Sequence, residues 1–174
     1  MIGRIKLNYG RTNKGVNGFS LTELIVVIAI ISILLAIATL NFNAWVTKSS
    51  IERETRELFA DLNSARIKAM YGKQRYTIAV NPLNYSLSNY SSDNELQSAG
   101  KQLFNKTVKY SLSGSAVNTP LVFDSRGILN SGFGGTIYVS YPANTGAAFD
   151  CIVLDDIRIN LGKTAYGPQA CNQR

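Results

Sequence analysis

Glu23 stands at the mouth of a long apolar run, and that position limits the chemistry open to this chain. From Leu24 to Leu40 only Ser32 and Thr39 are polar. A carboxylate at the end of such a run is costly to bury, so it marks a functional position. The residues leading to it read Gly18-Phe19-Ser20-Leu21-Thr22-Glu23. Cleavage after Gly18 would free an amine on Phe19, one helical turn from Glu23. That amine could offset the carboxylate, within one subunit or across to a neighbour.

Little other reactive chemistry is on offer. The 174 residues contain no histidine, so the commonest general base and every His-based triad are missing. No Walker A loop, GxSxG elbow or Rossmann glycine pattern occurs. Two cysteines without histidine cannot furnish a usual zinc site, and no cofactor or metal is expected. The chain reads as a non-enzyme.

The elements that must position Glu23 follow from charge and hydropathy. Arg4, Lys6, Arg11 and Lys14 precede the apolar run, with no acidic residue among them. Of the net charge of +7, those four leave +3 for Phe19 onward. The basic excess is therefore a topology signal, and the pI of about 9.5 is poor evidence for a nucleic-acid partner. With Phe19–Glu23 the apolar segment reaches about twenty residues, enough to cross a ~30 Å hydrocarbon layer. Basic residues on its N-terminal side put that side in the cytoplasm and the rest outside. An alternative treats Ala36-Ile37-Ala38 as the cleavage site of an ordinary signal peptide, releasing a soluble product that begins at Thr39. The long basic region and the interrupting Glu23 count against it.

No Pro or Gly falls between Phe19 and Tyr71, so one helix is expected from Phe19 to Met70, ~78 Å at 1.5 Å per residue. Beyond Leu40, Ile51, Leu58, Leu62, Ala65 and Ala69 share one face. Glu52, Arg53, Glu54, Arg56, Glu57 and Asp61 lie opposite and read as a solvated face, with Glu52 and Arg56 spaced to pair. Trp45 suits either an interfacial anchor or a packing residue beneath a domain. Gly72 is the expected helix end. Two-residue alternation then predicts strands at Tyr76–Val80, Tyr85–Tyr90, Thr107–Leu112, Leu121–Asp124, Thr136–Tyr141, Cys151–Asp155 and Ile157–Asn160, with a turn at Asn81-Pro82 and a surface loop over Ser91–Gly100. One long helix followed by short strands is α+β architecture with an antiparallel sheet.

The segment Gly18-Phe19-Ser20-Leu21-Thr22-Glu23 and its apolar helix closely resemble the type IV prepilin family, whose processing motif is Gly-Phe-Ser-Leu-x-Glu. The resemblance implies a pilin fold: a long N-terminal helix, transmembrane then amphipathic, packed on a β-sheet head. It implies a cleaved leader at residues 1–18, a transmembrane half at 19–40, an amphipathic periplasmic half at 41–71 and a head at 72–174. It further implies that prepilin peptidase cuts between Gly18 and Phe19 and methylates the Phe19 amine. Glu23 would then guide assembly by pairing with the N-terminus of an adjacent subunit. The implied partners are that peptidase, other pilins or pseudopilins in a fibre, an inner-membrane assembly platform and membrane lipid.

The head is similar to that of the pseudopilin H and FimT group of minor pilins. The similarity rests on Leu121–Gly127, Gly135–Val139, Asp61–Arg66, Tyr76-Thr77-Ile78 and Cys151-Ile152-Val153. It implies a minor pilin or pseudopilin of type II secretion or of a type IV pilus, with a major pilin as the alternative. Residues 84–106 match nothing in that group, and Asp155-Asp156-Ile157-Arg158 departs from its Gly-Arg-x-Arg element.

Two head features remain. In an oxidising periplasm Cys151 and Cys171 could pair, pinning the C-terminal tail to a strand. Arg66, Lys68, Lys73 and Arg75 cluster around Tyr71 and Tyr76, with Arg158, Lys163 and Arg174 as a sparser second set. These are the candidate contacts for nucleic acid in a DNA-uptake role. Cations at a helix C-terminus also complement its dipole, which is the simpler account.

Overall fold

A long helix, α1, runs from Leu21 to Gly72. The structure, a computed structural model, describes residues 18–94, 96, 100–130, 134–139, 146–164 and 170–173, and of residues 37–41 the backbone alone. The basic residues Arg4, Lys6, Arg11 and Lys14, together with Arg174, lie outside the described residues. Two compact units divide the chain, residues 1–41 and residues 42–174.

The first unit holds the apolar N-terminal half of α1, and the helix begins two residues later than Phe19. Phe19 and Ser20 precede it, and the Leu24 amide donates to the Ser20 carbonyl at 3.1 Å. Ser20 is thus the N-cap. Residues such as Leu24, Ile28, Ile31 and Leu35 are all exposed in the isolated chain.

The second unit begins at Phe42 and builds its core on the other half of α1. Ile51, Leu58, Leu62, Ala65 and Ala69 are buried along one stripe. Thr55 completes the stripe's alternation of four and three, and its buried hydroxyl donates to the Ile51 carbonyl at 2.8 Å. A β-branched polar residue is tolerated there because its one awkward atom is satisfied.

The helix ends on Gly72, but the left-handed residue that turns the chain is Lys73, with φ 51°. The helix thus ends at Gly72 as expected, with the positive φ on the residue after it.

Among the described residues nine strands follow, and the antiparallel head is arranged as two sheets. The first has the order β3-β2-β1-β5, from β1 (Tyr76–Val80), β2 (Asn84–Asn89), β3 (Lys101–Thr107) and β5 (Pro120–Phe123). The second has the order β4-β6-β7-β8-β9, from β4 (Leu112–Ser113), β6 (Gly135–Val139), β7 (Cys151–Leu154), β8 (Ile159–Thr164) and β9 (Cys171–Gln173). The β1–β2 hairpin closes at Val80 and Tyr85 through the Asn81-Pro82 turn. Ile78, Val80, Leu87, Leu121, Phe123, Ile137, Val139 and Ile152 fill the core with the α1 stripe.

Two expected strands shift. The strand expected over Thr107–Leu112 lies earlier, at β3, and only Leu112 of the later residues enters a ladder. The amides of Lys109 and Tyr110 are taken by the Glu54 carboxylate instead, so the chain there crosses between sheets. The strand expected from Ile157 starts at Ile159, because Asp155 and Arg158 close a tight turn (N···O 2.8 Å) that leaves Ile157 exposed. β9 is unforeseen: three polar-flanked residues carry no alternation to read. Of the loop expected over Ser91–Gly100, and of the strand end at Tyr141, part lies outside the described residues.

Candidate functional site

The N-terminal segment presents its reactive positions openly. Nothing lies within 4 Å of where a Gly18 side chain would stand, and Phe19 is 83% exposed. The Gly18–Phe19 bond precedes the first helical residue, so its backbone is not locked into helix hydrogen bonds. Glu23 falls in the first turn of α1, three residues after the N-cap. That is capping-box spacing, near the positive end of the helix dipole. The site therefore combines an exposed peptide bond, an exposed aromatic residue and a carboxylate on one helical turn. Among the described residues no helix is long and apolar enough to cross a membrane. The expected span continues through Ile37–Leu40, whose side chains lie outside the described residues.

In the second unit, the carboxylates expected on a solvated face of α1 bind the head. Lys106 of β3 places its ammonium 2.9 Å from Glu57 Oε1 and 2.7 Å from Asp61 Oδ2. The Tyr85 hydroxyl donates to the same Asp61 oxygen at 2.7 Å. Burial pushes the Tyr85 phenol up, and its hydrogen bond to Asp61 raises it further. The hydrogen bond to Asp61 likewise raises Lys106, against a smaller opposing effect of burial. Glu52 accepts the Ala148 amide at 2.7 Å and stands 3.9 Å from Arg56, its expected i,i+4 partner. Helical periodicity alone places these charges on a face and says nothing of what that face meets. Lys106 and Ala148 lie more than forty positions from their carboxylates and Tyr85 lies twenty-four from Asp61, beyond the reach of local pattern.

The cations considered for nucleic acid are not one free array. Arg66 Nε donates to the Gly127 carbonyl at 3.0 Å, clamping the helix end to the loop after β5. Arg75 lies over the Tyr90 ring, 4.0 Å from its centroid, and donates to the Asp93 carbonyl at 2.8 Å. Lys68 and Lys73 are exposed, as is Tyr71. Arg158 is exposed in the β7–β8 turn, and Lys163 lies on β8. Asp124 orders the Gly127 loop. Burial would raise its carboxyl, but the Ile128 and Arg126 amides and the Arg126 guanidinium hold it below the usual range.

Cys151 and Cys171 form a disulfide, with Cα atoms 6.1 Å apart. It joins β7 to β9 across β8, passing over Gly162, which pairs with Cys151. Beside it, buried Asp150 accepts the Thr164 amide at 2.6 Å and its hydroxyl at 2.9 Å. Among the described residues no cluster of three metal-ligating side chains occurs.

Residues 13–39 match the family described as the prokaryotic N-terminal methylation motif. Over those residues the chain is similar to the N-terminal methylation segment of that family. No curated protein matches it. Among solved structures it is similar to the type IV minor pilin FimU of Pseudomonas aeruginosa, at 16% identity and TM-score 0.55, over 73% of this chain and 98% of that one. The shared feature is the pilin α+β fold, a long N-terminal helix with an antiparallel sheet. The motif ends where the polar part of α1 begins, so the matched segment and the head core occupy separate stretches of the helix.

Proposed function

We propose that this protein is a structural minor pilin or pseudopilin, anchored in the inner membrane by the first half of α1 and assembled into a fibre through that helix. The observation that carries the reading is the overlap of the methylation motif at residues 13–39 with an exposed Gly18–Phe19 junction and Glu23 in the first helical turn. In this reading a prepilin peptidase cuts after Gly18 and methylates the Phe19 amine, which stays cationic. Glu23 then pairs with the amine of the next subunit, so neither charge is buried alone. The leader stays cytoplasmic and the head faces the periplasm, a compartment that suits the Cys151–Cys171 disulfide. The machine served is a type II secretion pseudopilus or a type IV pilus.

Mass spectrometry of the mature N-terminus, on protein from its native membrane, tests the reading. It requires a chain beginning with N-methylated Phe19. A chain beginning at Thr39 would mean an ordinary signal peptide and a soluble product. Abundance in sheared fibres separates a minor from a major subunit.

A further inference from the structure

The strongest feature left unused lies just past the apolar run, on the surface of the second unit. Phe42 and Trp45 are 60% and 63% exposed, and their rings lie together with centroids 6.4 Å apart. Two large aromatic residues are thus held against water with no core beneath them. The expectation that Trp45 might pack under the domain does not hold. Trp45, Ser49 and Arg53 recur every four residues and so share a helix face. With Val46 and Ser50 they line a pocket of about 200 Å³.

The chemistry of that pocket is selective. It offers an indole, two serine hydroxyls and a guanidinium, and no carboxylate lines it. The neighbouring acids are turned elsewhere: Glu52 to Ala148 and Arg56, Glu54 to the amides of Lys109 and Tyr110. Among the described residues neither Lys48 nor Arg53 has an ion-pair partner. Hydroxyl and guanidinium donors beside an amphipathic aromatic ring match a phosphate attached to an apolar chain. In sequence, Phe42 follows the end of the apolar run at Leu40 by two residues, where a spanning helix would meet the headgroup layer.

We infer that the Phe42–Arg53 stretch is a phospholipid headgroup site. Trp45 and Phe42 sit at the acyl boundary, Arg53 with Ser49 and Ser50 holds the phosphate, and Lys48 adds a preference for anionic lipid. The inference rests on the membrane anchoring proposed above.

Trp45 is the single tryptophan of the chain, so its emission reports this site alone. The full-length protein is reconstituted into phosphatidylcholine vesicles containing phosphatidylglycerol, and association is checked by flotation. Lipids brominated just below the headgroup should quench Trp45 more strongly than lipids brominated near the chain ends. Brominated phosphatidylglycerol should quench more than the same fraction of brominated phosphatidylcholine. Arg53→Ala should cut that preference about fivefold, and Lys48→Ala by a similar factor. Inorganic phosphate should leave the emission unchanged.

Equal quenching by the two headgroup types would overturn the site, as would a loss of the lipid preference in inorganic phosphate, which would mark a free-anion site. Quenching that vanishes as protein density rises would assign the surface to a second copy of the chain instead. A protein that fails to float with vesicles would remove the membrane anchor itself, and this site with it.

Discussion

Lys106 Nζ lies 2.7 Å from Asp61 Oδ2, and that same oxygen accepts the Tyr85 hydroxyl. One carboxylate of α1 thus ties down two adjacent strands, β2 and β3. Tyr85 and Lys106 both hold their protons more tightly in the folded chain than at their ordinary values of 10.0 and 10.5. Raised values of this kind give stability that is fully present below about pH 10 and lost as pH climbs beyond it. Stability against thermal unfolding should therefore fall steeply above about pH 10. Tyr85→Phe should cost about 1–2 kcal/mol at neutral pH and flatten part of the alkaline loss. An unchanged alkaline slope in that variant would refute the coupling.

Leu62 is fully buried on the α1 stripe, while Lys68 is exposed two turns on. Leu62→Ala should destabilise the head by about 2–5 kcal/mol, and Lys68→Ala by less than about 0.5 kcal/mol. Denaturant midpoints of the two variants give the comparison. Similar midpoints would mean that the stripe is not the core.

Gly162 makes room for the disulfide. A Cβ there would press on Cys171 Sγ and stand 2.8 Å from the Asn172 carbonyl and 3.2 Å from Cys151 Sγ. Gly162→Ala should yield free thiols in a denatured, alkylated sample, whereas the parent protein yields none. Cys171→Ser should cost about 3 kcal/mol in the chain-entropy account. A fully oxidised Gly162→Ala protein of parental stability would contradict the crowding.

Glu23→Gln keeps the size of the side chain and removes its charge. Leader removal should proceed as in the parent, because Gly18 and Phe19 are untouched. Recovery in sheared fibres should fall by roughly tenfold or more, since the amine of the neighbour loses its counter-charge in an apolar setting. Normal incorporation of the variant would separate Glu23 from assembly.

Some of this molecule is written locally. The apolar run after Glu23, the motif at Gly18–Glu23 and the stripe Ile51–Ala69 are patterns over neighbouring residues, and a helix must obey them wherever it sits. The strands β2 and β5 are legible for the same reason, since buried and less buried side chains alternate along them, while β1 and β7 are legible as short, mostly apolar runs buried almost throughout. What tertiary structure decided are the contacts that close large loops. Glu54 reaches the amides of Lys109 and Tyr110, and in doing so converts an expected strand into a crossover between sheets. Asp61 finds Lys106, and Arg66 finds the Gly127 carbonyl. A charged side chain on a helix looks the same in sequence whether it meets water or a distant backbone amide. Only the folded chain supplies the partner that decides between them.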